Sequence, residues 1–123
     1  MAITRFGRMQ HRIMQILWAR GQANAREITE EMNQESAVAH STVQTLLRQL
    51  EKKGAIAHEL QERTFVFRPV VEEHKALRSA TRELIERVFS GSAAGLVAHL
   101  LEHEKIPRKE MQQIRKLIDG KES

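Results

Sequence analysis

The apolar residues of this chain recur at helical spacing as far as Leu50 and then, straight after Gly54, at every second position. Such a change of period restricts the fold to a group of helices that carries a β-hairpin. Val43, Leu46, Leu47 and Leu50 fall at i, i+3, i+4 and i+7, the stripe of a helix packed on a core. Two periodic segments precede it. Residues 9–20 place Met9, Ile13, Ile16 and Leu17 on one face with Met14 and Trp18 beside them, and residues 25–33 turn Ile28 and Met32 inward. Beyond Gly54, Ile56, His58 and Leu60 alternate, then Phe65 and Phe67 alternate with Thr64, Val66 and Arg68, and Pro69 closes the run. Two strands are predicted, with a tip at Gln61, Glu62 and Arg63 that lacks the Gly or Asn a tight hairpin turn prefers. Three helices followed by a hairpin predict a winged helix-turn-helix over residues 1–70, an α+β arrangement that is mainly α with a small β-wing.

Helix boundaries are signalled by side chains that satisfy free backbone groups. Asn24 followed by Glu27 is a capping-box pair for the second helix. Ser41 with Gln44 offers the same signal for the third, and Ala39 and His40 are equally placed to be its cap. A capping Ser41 would have less freedom to touch a ligand. Gly54 predicts the end of that helix, where Lys52 and Lys53 complement the negative end of its dipole.

The face of the third helix opposite its apolar stripe is chemically distinct. Ser41, Thr45, Arg48 and Lys52 share it, with Thr42, Gln44, Gln49 and Lys53 on its flanks and no carboxylate until Glu51 on the shoulder. Hydroxyls, amides and cations suit base edges and phosphates. The plainer reading is a solvated amphipathic helix, and the winged-helix context favours DNA. Lys52 and Lys53 can serve both the helix dipole and phosphates. Arg63 at the wing tip is placed to reach a phosphate or the minor groove, or to remain solvated. The competing class is a winged-helix protein-interaction module, in which Phe65, Phe67 or the C-terminal helices dock a partner protein and DNA is irrelevant.

Residues 71–123 have a different design. A helix from Glu72 to Phe89 carries Leu77, Leu84, Ile85 and Val88, with Glu72 and Glu73 in its first turn; Ser90, Gly91 and Ser92 break it. Leu96, Val97, Leu100 and Leu101 mark a second helix. Ile106 and Pro107 open a third, with Met111, Ile114, Leu117 and Ile118 on one side and Gly120 as its stop. Three short helices cannot bury these stripes well alone. A helical dimerisation domain is therefore expected, with Leu77, Leu84, Val88, Leu96, Leu100, Leu101, Ile114, Leu117 and Ile118 at the contact of a homodimer; the alternative is folding back onto the winged helix.

With 123 residues there is room for one small domain and an appendage. The net charge of +4 is uneven: residues 1–70 hold 10 Lys or Arg against 7 Asp or Glu, and residues 71–123 hold 10 against 9. The excess lies in the half expected to meet DNA, yet it is small enough that affinity must come from placement and from two copies acting together. The absence of cysteine excludes disulfides, thiolate metal sites and a cysteine nucleophile, and suits a reducing compartment. No stretch approaches a membrane span and the N-terminus lacks the apolar core of a signal peptide, so a cytoplasmic location without membrane insertion is expected.

One run imitates an enzyme motif. His99-Leu100-Leu101-Glu102-His103 fits H-x-x-E-H, in which two histidines one turn apart bind zinc and the glutamate handles the proton. A third ligand would have to come from the last 20 residues, and helices needed for an interface build no substrate cleft. No catalytic residue, cofactor or metal site is therefore expected. A non-catalytic metal or pH-sensing role for His99 and His103 competes with plain solvated or interface histidines, and His11, His40, His58 and His74 are scattered without forming a ligand set.

The chain resembles the BlaI/MecI/CopY (penicillinase repressor) family of bacterial transcription regulators. The resemblance is carried by Ile13-Met14-Gln15-Ile16-Leu17-Trp18, by His40-Ser41-Thr42-Val43-Gln44-Thr45-Leu46-Leu47-Arg48-Gln49-Leu50-Glu51-Lys52-Lys53-Gly54, and by Phe65-Val66-Phe67-Arg68-Pro69. It continues through Phe89-Ser90-Gly91-Ser92 into Leu96-Val97 and covers nearly the whole chain. It implies a cytoplasmic homodimeric repressor, an N-terminal winged helix on a palindromic double-stranded DNA operator, and C-terminal helices that dimerise. The family's DNA-facing places fall on Ser41, Thr42, Gln44 and Thr45, with Arg48 one turn on. Basic residues of some members at the positions of Ser41 and Gln44 are here a hydroxyl and an amide, so operator sequence does not transfer; Gln pairs with adenine where Arg prefers guanine. Copper-responsive members carry a C-terminal cysteine cluster, which this chain lacks. In the β-lactam branch a membrane sensor protease cuts the second C-terminal helix at an Asn–Phe bond, and the matching pair here is His99-Leu100, a departure from that bond.

Overall fold

The computed structural model describes residues 5–122, the side chain of Glu122 excepted, in two compact units, one up to Thr81 and one from Arg82. The first unit contains α1 (Arg8–Arg20), β1 (Ala23–Asn24), α2 (Ala25–Asn33), α3 (His40–Lys52), β2 (Ile56–Gln61) and β3 (Thr64–Pro69). Helix α4 (Glu73–Val88) crosses the division, and α5 (Ala93–His103) and α6 (Arg108–Glu122) follow in the second unit. The division lies beyond the expected boundary at residue 70 because the first core reaches further along the chain: Val71 and Ala76 are buried in it.

That core is made by the periodic residues. Ile13, Met14, Ile16 and Leu17 of α1, Ile28 and Met32 of α2, and Val43, Leu47 and Leu50 of α3 close on Ala55 and Ile56. Met9, expected among them, is exposed, and Gln10 is buried instead. The exchange has a polar cause. Gln10 accepts the N–H of Gly7 at 3.0 Å and donates to Gln49 of α3 at 2.9 Å, so its amide is satisfied where it is buried. Trp18 packs against the edge of the core and donates its indole N–H to the carbonyl of Val71 at 2.8 Å.

Caps set the junctions. Asn24 and Glu27 form the reciprocal pair read from the sequence, each side chain accepting the other's backbone N–H, at 2.8 and 2.9 Å. Asn33 then folds the connection to α3, donating to the carbonyls of Thr29 and Val38 and accepting the N–H of Val38. The cap of α3 is Ala39, with no side-chain bond, so Ser41 lies inside the helix. At the other end Gly54 takes φ +81, and the bonds Gly54 N–H to Glu51 O and Ala55 N–H to Leu50 O, both 3.0 Å, close the helix in a Schellman turn.

The sheet has three strands in the order β1-β3-β2, all antiparallel. Strand β1 is absent from the sequence reading because two residues offer no alternation to detect; Ala23 pairs with Phe67 and Asn24 with Val66. In β2 and β3, His58 faces Phe67, Leu60 faces Phe65 and Gln61 faces Thr64. The wing turn is therefore the two residues Glu62 and Arg63, both at positive φ (49° and 69°), a tight turn made without glycine. Alternation persists along the wing beyond the core, so Leu60 and Phe65 are exposed.

In the second unit, Ser90 and Gly91 take φ +51 and +83, which ends α4, and Ser92 caps α5 by accepting the N–H of Gly95 at 2.8 Å. Helix α6 starts just after Pro107 and runs through Gly120 to Glu122. The expected stop at Gly120 is corrected: a glycine terminates a helix when it adopts positive φ, and Gly120 does not. Leu84, Val88, Val97, Leu100, Leu101, Leu117 and Ile118 are all exposed, and Leu77, in the first unit, is exposed as well.

Candidate nucleic-acid interface

Helix α3 presents the expected polar face. Ser41, Thr42, Gln44, Thr45, Arg48 and Lys52 are all exposed, while Val43, Leu47 and Leu50 on the reverse side are buried and hold the helix against α1 and α2. Among the described residues the side chains of Ser41, Thr42, Gln44, Lys52 and Arg63 have no hydrogen-bond or ion-pair partner, so their polar groups are available to a ligand. Thr45 is pre-positioned: its hydroxyl donates to the carbonyl of Ser41 at 3.1 Å and accepts from Arg48 Nη2 at 3.2 Å. The guanidinium retains further donors.

Beside this face runs a groove of about 580 Å3 between α3 and the wing. Gln44, Arg48 and Glu51 line it from α3, Arg26 from the start of α2, Arg63 from the turn, and His58, Phe65 and Phe67 from the strands. Three guanidinium groups from three separate elements thus face one concavity that contains a single carboxylate, an arrangement suited to a polyanion.

Lys53 is placed differently from the other cations. Its ammonium donates to the carbonyl of Arg5 at 2.8 Å and to Gln10 Oε1 at 2.7 Å, and lies 5.7 Å from the centre of the Phe6 ring. A lysine holding the segment before α1 in this way is a structural clamp, in contrast to Lys52, whose ammonium has no partner among the described residues. Sequence reasoning did not single out Arg26, because one arginine in a helix carries no periodic signal. The pairing of Glu51 with His58 carries no periodic signal either. They lie on different elements, and tertiary packing brings Glu51 Oε1 to 2.6 Å from His58 Nδ1.

The H-x-x-E-H run lies on α5. The rings of His99 and His103 are 4.6 Å apart, and Phe89 packs edge-on against His99 at 5.8 Å. Among the described residues no group of three or more His, Asp or Glu side chains comes together as a metal site. No single helix among them is long and apolar enough to cross a membrane.

A helix with an exposed polar face, flanked by an arginine-lined groove and a β-wing, defines the winged-helix class of DNA-binding proteins. Residues 6–120 match the family model described as penicillinase repressor. The chain belongs to the penicillinase repressor family of DNA-binding transcriptional repressors. Its relatives include the penicillinase repressor of Bacillus licheniformis, 25% identical over 107 residues, which cover 87% of this chain and 84% of the relative. The methicillin resistance regulatory protein MecI of Staphylococcus aureus (strain N315) is 28% identical over 109 residues, 89% of each chain. The chain is also similar to the solution structure of the DNA-binding domain of the repressor BlaI, at 30% identity and a TM-score of 0.54, over 59% of this chain and 89% of that one. A second solution structure, of monomeric Bacillus licheniformis BlaI in complex with the blaP half-operator, matches at 30% identity and a TM-score of 0.51, covering 58% and 87%.

Proposed function

We propose that this repressor binds a palindromic operator as a homodimer, with α3 in the major groove. In this reading Ser41, Thr42, Gln44, Thr45 and Arg48 meet base edges, and Lys52 and Arg63 meet phosphates on either side. The observation that carries it is the exposed polar face of α3 beside a groove lined by Arg26, Arg48 and Arg63. Arg26, whose guanidinium lines the groove and lies 3.9 Å from Glu30, joins the phosphate-facing set, while the ammonium of Lys53 is engaged within the protein.

Pairing through the second unit would set two copies of α3 about one DNA turn (~34 Å) apart. The exposed leucines and valines of α4 and α5, with Leu117 and Ile118 of α6, support that role, since stripes of this kind are costly to leave in water. The protein acts in the cytoplasm, and the relieving signal includes regulated proteolysis by a membrane sensor as one route. His99 and Leu100, which stand at the position of the family's cleaved bond but depart from its Asn–Phe pair, are exposed on α5.

The test is a duplex selected by the purified chain from a random-sequence pool. Thr45→Ala and Arg48→Ala are expected to lower affinity for it roughly 5- to 100-fold each, with unchanged thermal unfolding. Retained affinity in both would remove α3 from the interface.

A further inference from the structure

Glu51 is the one carboxylate among the residues that line the groove between α3 and the wing. Facing an incoming polyanion, it opposes binding unless its charge is compensated. Its partner is His58 of β2, whose Nδ1 lies 2.6 Å from Glu51 Oε1. The imidazole is also packed against the rings of Phe65 and Phe67, at 4.8 and 5.6 Å between centres. One side chain therefore joins the DNA-facing helix to both strands of the wing.

An ionised carboxylate only accepts hydrogen bonds, so Nδ1 of His58 carries a hydrogen. In a neutral ring Nε2 is then a lone pair, and it has no protein partner among the described residues. The charged and titratable groups that line the groove with His58 are Glu51, Arg48 and His40 from α3, Arg26 from α2 and Arg63 from the wing turn, with Glu59 next on its own strand. Phosphates entering the groove add their own attraction for an imidazolium.

We infer that His58 takes up a proton when this protein binds DNA, and that the resulting imidazolium–carboxylate pair with Glu51 positions the wing against α3. The inference rests on the proposed DNA-binding mode. The protonated ring neutralises Glu51, makes a charge-assisted bond to it, and holds Arg63 at a fixed reach from Arg48. The sign follows from linkage. The complex binds more protons than the free components, so affinity falls as pH rises.

The experiment titrates the full chain with a duplex that it has selected from a random-sequence pool. Calorimetry in buffers of different ionisation heat counts protons, and anisotropy follows affinity from about pH 6 to about pH 8. Wild-type protein is expected to take up a fraction of a proton and to lose roughly 3- to 10-fold in affinity across that range. His58→Gln removes that uptake, whereas His40→Gln leaves it in place. Glu51→Gln also flattens the profile and binds at the alkaline end at least as tightly as wild type; a purely structural Glu51 would weaken binding equally at every pH. The imidazole C–H resonances of wild-type protein, free and bound, report protonation of His58 without any variant. Duplex binding without proton uptake, or uptake that survives His58→Gln, overturns the inference and leaves the DNA-binding mode standing. Failure to bind any duplex at any pH overturns both.

Discussion

The indole N–H of Trp18 donates to the carbonyl of Val71 at 2.8 Å, linking the end of α1 to the segment that leads into α4 across 53 positions of sequence. This bond anchors the exit from the winged helix, because Val71 itself is buried and its N–H lies 3.3 Å from the carbonyl of Ala55.

Trp18→Phe keeps an aromatic ring and leaves that carbonyl without its donor. A loss of about 1–3 kcal/mol is expected in urea unfolding, with the affinity of the folded protein for its selected duplex unchanged.

Lys52 and Lys53 are adjacent in sequence and differ in surroundings, which salt titration resolves. Lys52→Gln is expected to reduce the slope of log affinity against log salt by about 0.9, the share of one phosphate. Lys53→Gln is expected to leave the slope unchanged and to lower the melting temperature, since it releases Arg5 and Gln10 from their shared donor.

The wing turn places Glu62 in the left-handed region, where asparagine is accommodated more readily than glutamate. Glu62→Asn is expected to raise stability by about 0.5–1 kcal/mol, measured by chemical denaturation. No gain would mean that the turn relaxes to another geometry in solution.

Leu117 is 73% exposed and Leu100 is 41% exposed, both on helices of the second unit. If they meet a second copy, Leu100→Ser and Leu117→Ser together convert a dimer to a monomer in sedimentation. Cooperative duplex binding is lost with it. A wild-type protein already monomeric at micromolar concentration would remove the dimer from the proposal.

Much of the winged helix was legible because burial acts on residues in a fixed local period. Ile13, Leu17, Ile28, Val43, Leu47 and Leu50 are core residues at helical spacing, and Asn24 with Glu27 is a short-range pair, so both signals survive in the linear chain. The candidate interface was legible on α3 for the same reason, its polar face being the complement of its apolar stripe. Met9 and Gly120 were misread where one-dimensional pattern had no access to neighbours. Gln10 is buried because Gln49 answers it, and Gly120 keeps helical geometry.

Local periodicity and capping were therefore enough to specify the helices, the hairpin and the face of α3 turned to solvent, since each depends on residues a few positions apart. Folding in three dimensions decided the rest: β1 beside β3, the Trp18 tie to Val71, the clamp on Lys53, and the meeting of Glu51 with His58. Those contacts join segments whose separation along the chain carries no periodic trace, and only the packing of one element on another brings their atoms within bonding distance.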